Sequence, residues 1–167
     1  MATPRHIIYT LTDTRFEGIS EVQRSAIGNE IVNTIQDRTA SGIDKDGNRF
    51  TPYNPNYINS KHFKNAGKSG NVNLVFSNEM MNSLEYLPEL SQGSSITVGF
   101  PNGTDVNSRA QFVIEGHGRK GDFTQPPRNP MGLTGNERNR IVDMVPRRGV
   151  SGAVFLALTA GFLSSIF

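Results

Sequence analysis

The feature that most constrains the fold is a helical repeat of apolar residues between Thr14 and Ser41. Phe16, Ile19, Val22, Ala26, Ile27, Ile31, Ile35 and Ala40 recur there, and intervals of three and four residues put them on one face of an α-helix. Thr14 and Glu17 make a T-x-x-E capping box at its start. Gly42 stands where a C-terminal cap belongs. Such a helix would run roughly 40 Å at about 1.5 Å per residue. In a chain of 167 residues, an apolar face of that length must be covered by other elements.

The sequence supplies that cover in short pieces. Ile7 to Leu11 is β-branched and aromatic and reads as a strand. Ile96, Val98 and Phe100 alternate with smaller residues, as in a half-buried strand. Tyr86, Leu87 and Leu90, followed by a turn at Gln92-Gly93, read as its partner. The segment Gly42 to Tyr57 is rich in Gly, Asp, Asn and Pro, so it is a loop with a tight turn at Asp46-Gly47. Phe50, Tyr53 and Tyr57 would anchor it on the body. Its Asp44-x-Asp46-x-Asn48 resembles the start of a calcium loop, but Arg49 and Pro55 stand where such a loop needs Gly and Glu. Lys61 to Asn71 reads as an exposed basic loop. Ser77 would cap a short helix over Glu79 to Leu84. Arg109 to Gly116 reads as a short helical piece, and Gly118 to Gly132 as a Gly- and Pro-rich loop. Thr134 and Glu137 form a second capping box. They open a helix to about Val145, with Ile141, Val142 and Val145 inward and Pro146 at its end.

Motifs that carry chemistry are few. The chain has no cysteine, which excludes disulfides and thiolate metal sites. His6, His62 and His117 lie far apart without metal-ligand spacing. There is no G-x-S-x-G, Walker loop or G-x-G-x-x-G after a strand. The one enzymatic alternative is a nuclease using His117, set between two glycines, with Glu115 or Asp122. The plainer expectation is no catalytic residue, no metal and no cofactor. The formal charge of +2, with pI near 9.1, is too small an excess to argue for nucleic acid binding.

The order of the motifs says more than any one of them. A long helix is followed by D-x-D-G-x-x-F-x-P-Y, from Asp44 to Tyr53, and then by Tyr57 and Lys61. Leu74 and a polar-Met-x-x-S-L piece from Ser77 to Leu84 come next. A strand ending in Val98-Gly99 follows, and an alanine-to-E-G piece from Ala110 to Gly116. A P-x-R-x-x-x-G-L segment from Pro126 to Leu133 precedes the final helix. In this order, between about Glu30 and Val145, the chain resembles the bacteriophage virion-morphogenesis, or tail-completion, family of head–tail neck proteins. It departs from the family pattern at Arg109-Ala110, where the family has Y-A, and at Asn129-Pro130-Met131, where an aromatic usually follows the Arg.

The resemblance implies an α+β fold, with the long N-terminal amphipathic helix packed on a small antiparallel sheet, shorter helices and an apolar C-terminal tail. It implies a structural virion protein made in the host cytoplasm that forms a homo-oligomeric ring. Its partners would be copies of itself and other neck and tail proteins: head-completion, tail-terminator or tail-tube proteins. DNA would pass through the channel without sequence-specific binding. Arg128 matches the family's Arg, and its planar fork suits a carboxylate or backbone carbonyls, within a subunit or between subunits. Pro127, Glu115, Gly116, Tyr53 and Tyr57 share those motifs and are candidate interface residues.

The expected organisation is one domain over residues 1–146 and a tail over 147–167. From Gly149 the tail has no charged residue. Gly149, Ala153, Ala157, Gly161 and Ser165 recur every fourth position, a small-residue ridge along which helix backbones can approach closely. Three readings stay open: a helix buried at a subunit or partner interface, an extended arm on a partner, or a membrane anchor or pore behind Arg147-Arg148. The last is the alternative function.

Overall fold

The computed structural model describes residues 7–65, 72, 74, 78–101, 105–119 and 122–146. The long helix is shorter than its apolar repeat. Asp13 caps a 3-10 turn over Thr14–Phe16, its side chain accepting from the Arg15 amide. Gly18 then takes φ 71°, a left-handed turn that ends any helix begun at Thr14. The capping box at Thr14 and Glu17 therefore does not form. A second box three residues beyond it does: Ser20 Oγ accepts from Gln23 N, and Gln23 Oε1 accepts from Ser20 N. Helix α1 runs Glu21–Ala40, about 30 Å rather than 40.

Its C-terminus is as expected. Gly42 lies at φ 80°, its amide bonds Thr39 O and the Ile43 amide bonds Arg38 O, the paired bonds of a Schellman cap. Ile27, Ile31, Val32 and Ile35 are buried. Val22 is 80% exposed and Ala40 is exposed, contrary to the inward positions expected of them. Phe16 is fully buried, but from the 3-10 turn and not from the helix.

Strands β1 (Ile8–Thr12), β2 (Glu85–Tyr86) and β3 (Ser95–Gly99) form an antiparallel sheet in the order β1-β3-β2. Tyr9 pairs with Val98 and Leu11 with Ile96. Since cross-strand partners share a face, Leu11, Ile96, Val98 and Phe100 line one side, and β2 and β3 lie against α1. The clean alternation expected of β3 is not kept, because Thr97 is buried too. As the central strand, β3 is covered on its second face by the 3-10 turn Pro88–Leu90. Ser91 Oγ accepts from Thr97 N, and Thr97 Oγ1 donates to Leu90 O. The same turn ends β2, because Thr97 N bonds Ser91 Oγ in place of a strand carbonyl.

Short helices α2 (Pro55–Ile58), α3 (Lys61–Asn65) and α4 (Asn78–Asn82) follow α1, and α5 (Asp105–Glu115) follows β3. Gly116, at φ 78°, stops α5. Two stretches expected as loops hold structure. Lys61–Asn65 is helical around a buried Phe63. The segment after α5 forms a hairpin of β4 (His117–Arg119) and β5 (Asp122–Gln125). Helix α6 (Gly135–Val142) carries the expected capping box between Thr134 and Glu137. Ile141, Val142 and Val145 are buried, as expected. A single apolar cluster reaches from Leu11 to Val145. Each fully buried side chain in it stabilises the fold by about 1.5–3 kcal/mol. Ser77 and the tail, with Gly149, Ala153, Ala157 and Gly161, lie outside the described residues.

Candidate interface site around Arg128

The segment around Arg128 has no helix or strand, so its backbone must find partners one by one. Arg128 N donates to Val113 O of α5 at 2.8 Å, and Asn129 O accepts from Lys45 N at 3.2 Å. Asn129 Oδ1 accepts from Met131 N at 2.9 Å, an Asx turn. These bonds aim the Arg128 side chain inward, and the residue is 3% exposed.

The guanidinium closes on the loop after α1. Nε donates to Thr51 O at 3.0 Å and Nη2 to Pro52 O at 3.3 Å. Its carbon sits 4.8 Å from the Tyr53 ring centre, in range for cation–π attraction. Tyr53, Tyr57 and Phe63 form an edge-to-face triangle with centres 5.3–5.7 Å apart. Burial pushes the Arg128 guanidinium below the usual arginine range, against the pull of Tyr53 and Tyr57. Burial also raises the Tyr53 hydroxyl, with Arg128 opposing.

Of the two kinds of partner open to Arg128, it takes backbone carbonyls, and they belong to its own chain. Tyr53, Tyr57 and Arg128 are thus brought together as a clasp. It joins two segments that the sequence holds 77 residues apart. Pro127 stays exposed on the outer side of the clasp. Glu115 is exposed at the end of α5, with Gln111 Nε2 donating to it at 3.3 Å. Gly116 lies beside it at the helix stop. Arg128 bonding Val113 O places Pro127 next to this end of α5.

Two further arginines do the same work and were not singled out in the sequence. Arg24 donates to Phe16 O, Gly93 O and Ser95 O. Arg38 donates to Pro130 O and Gly132 O, and pairs with Glu137 at 2.6 Å. Both are nearly buried. Arg24, Ile27, Ile31, Ile35 and Arg38 share the helical spacing of the core face, which is the signal that could have found them. Glu30, on the polar face of α1, bonds Arg140 of α6 at 2.6 Å. Gln23 is engaged in the N-terminal cap. Between α1 and α6 lies a polar groove of about 500 Å³, lined by Asn33, Asp37, Arg38, Glu137 and Arg140 among others.

The β4–β5 register sets His117 opposite Gln125 and Asp122 opposite Arg119, so His117 and Asp122 are not cross-strand partners. Among the described residues, no group of three or more acidic or histidine side chains is placed to hold a metal ion. No protein-family model matches the chain, and no characterised protein and no solved structure matches it.

Proposed function

We propose that the chain is a structural subunit of a bacteriophage head–tail neck, assembling as a ring of identical copies that completes the tail or joins it to the head. The reading assigns it no catalysis and no cofactor. The observation that supports it most is the Arg128 clasp. The motifs that give the resemblance, D-x-D-G-x-x-F-x-P-Y and P-x-R-x-x-x-G-L, meet in space. Their side chains hold loop carbonyls and aromatic rings, and the role they play is to brace a surface. Beside the clasp, Pro127, Glu115 and the stop at Gly116 form an exposed corner suited to a neighbouring subunit. The tail ridge of Gly149, Ala153, Ala157 and Gly161 would add apolar area to the subunit contacts.

Negative-stain microscopy of the purified chain tests the ring, and truncation before Gly149 tests the tail. The expected outcome is closed rings for the full chain and their loss on truncation. A truncated chain that still forms rings would remove the tail from the proposal. The membrane alternative rests on residues 147–167. Among the described residues no helix is long and apolar enough to cross a membrane. Vesicle flotation of the full chain beside the truncated chain separates the two readings.

A further inference from the structure

We propose that β1 is an interaction edge which pairs, antiparallel and about a twofold axis, with β1 of a second copy. The argument begins with the register. Phe100 N donates to Ile7 O, and Asp13 N donates to Ser94 O. Ile8 pairs with Gly99, and each later residue follows in step to Thr12 with Ser95. Hydrogen-bonded and non-hydrogen-bonded pairs alternate along an antiparallel ladder. Ile7, Tyr9, Leu11 and Asp13 therefore point their backbone groups at β3. Ile8, Thr10 and Thr12 point theirs away from the sheet. Because β1 is an outer strand, no further strand meets them among the described residues.

Among the described residues, one of those outward groups has a partner: Thr12 O accepts from Arg138 Nη2 at 3.1 Å. Ile8, Thr10 and Thr12 are all exposed, Ile8 at 43%. The strand Ile8-Tyr9-Thr10-Leu11-Thr12 contains no charge and no proline, and its register with β3 runs without a bulge. Apart from Arg138 at Thr12 O, it lacks the charges, prolines and bulges by which edge strands are usually kept single.

The edge fits a second copy of itself. In an antiparallel pair centred on Thr10, residue 10 meets residue 10, and Ile8 meets Thr12 at each end. All three positions carry the outward-pointing groups, so the donors and acceptors of one copy face those of the other. The pairs formed are Thr with Thr and Ile with Thr, both favourable across strands. The flanking charges are complementary. Arg138, half-exposed and only loosely paired with Asp13 of its own chain at 3.8 Å, lies at the Thr12 end. Asn107 Oδ1 accepts from Ile7 N, which places the first turn of α5, with exposed Asp105, at the other end. The twofold axis lays the Arg138 end of one copy along the Asp105 end of its partner. The pairing stands apart from the ring proposed above: a twofold contact closes at two copies, and inside a ring it would make the ring double.

The test uses the absence of cysteine. Thr10→Cys introduces a single thiol whose twin would have its Cα about 5.5 Å away, inside the range that a disulfide bridges. Under mild oxidation it should give a dimer at twice 18.3 kDa on a non-reducing gel. The control Asn33→Cys, on the outward face of α1, should not. In sedimentation, the unmodified chain should dimerise reversibly. Thr10→Pro removes the outward N–H, along with the hydroxyl contact to Thr97 Oγ1, and should weaken dimerisation by about tenfold or more. Thr10→Lys, which opposes like charges across the axis, should do the same and decides the matter if the proline variant does not fold. A chain that stays monomeric, a Thr10→Cys variant that crosslinks no faster than Asn33→Cys, or dimerisation unchanged in the folded variants overturns the proposal.

Discussion

Replacing Arg128 with methionine tests whether the motif arginine braces its own chain or awaits a neighbour. Methionine keeps most of the volume and loses the fork. Two hydrogen bonds from a charged donor are lost, to Thr51 O and Pro52 O. Bonds of this type contribute about 1.5–3 kcal/mol each when the acceptor is left dry. Thr51 and Pro52 are exposed residues, so water can take up their carbonyls and the loss falls at the low end. The contact with the Tyr53 ring adds about 0.5–2 kcal/mol. Against these stands the relief of no longer burying a guanidinium that is 3% exposed. The expected net loss is about 2 kcal/mol, which lowers the melting temperature by roughly 4–8 °C for a domain of this size. Urea titration of the monomeric fraction, with intrinsic tyrosine fluorescence as readout, measures it. Arg128→Lys should lie between, because an ammonium cannot span both carbonyls and the ring. A change below about 0.5 kcal/mol, within the range of ordinary surface substitutions, would refute the clasp. Unchanged stability together with lost oligomers would reassign Arg128 to the subunit interface.

Three other outcomes follow from the same geometry. Glu137→Gln keeps an acceptor for the Thr134 amide but removes the countercharge of Arg38; it should cost about 2 kcal/mol, less than for a fully buried pair because Glu137 is 20% exposed. Gly28→Ala would set a methyl group 2.3 Å from Tyr86 Cδ2, so it should destabilise by about 1–3 kcal/mol; in a Tyr86→Ala background the cost should shrink, because only the residue-86 Cβ, 3.0 Å from the new methyl, is left to give way. Burial first of all raises the hydroxyls of Tyr9, Tyr53 and Tyr86 above their ordinary 10.0. The folded chain then holds those protons longer than the unfolded one. Their contribution is complete below about pH 10 and lost as pH rises through the folded values, so thermal melts from pH 8 to 11 should show a decline that starts near 10 and shrinks in Tyr9→Phe.

The helix, the central strand and the last capped helix were legible because each pairs a strong period with a local stop or start. Gly42 and the Thr134-Glu137 box act through neighbouring backbone alone, and their geometry follows from the residues themselves. The start of α1 was misread because two capping boxes, Thr14-Glu17 and Ser20-Gln23, follow each other closely in the sequence. Gly18 chooses between them by a backbone angle that a sequence does not display. Arg24 and Arg38 were hidden for another reason. Periodicity counts apolar residues, whereas these two sit on the core face and satisfy carbonyls of segments up to 94 residues away. The β4–β5 hairpin was missed because Gly118, Lys120 and Gly121 read as loop, and its strands are only three and four residues long. For the site, the motif order placed Arg128, Tyr53 and Tyr57 in one family pattern, but the contact among them depends on the fold.

The central claim is that copies of this chain close into a ring, and electron microscopy of the purified full-length protein tests it most directly. Class averages viewed along the axis should show closed rings of a single rotational symmetry around an open channel wide enough for duplex DNA. A population made only of monomers and twofold dimers, at every concentration and salt tried, would contradict it.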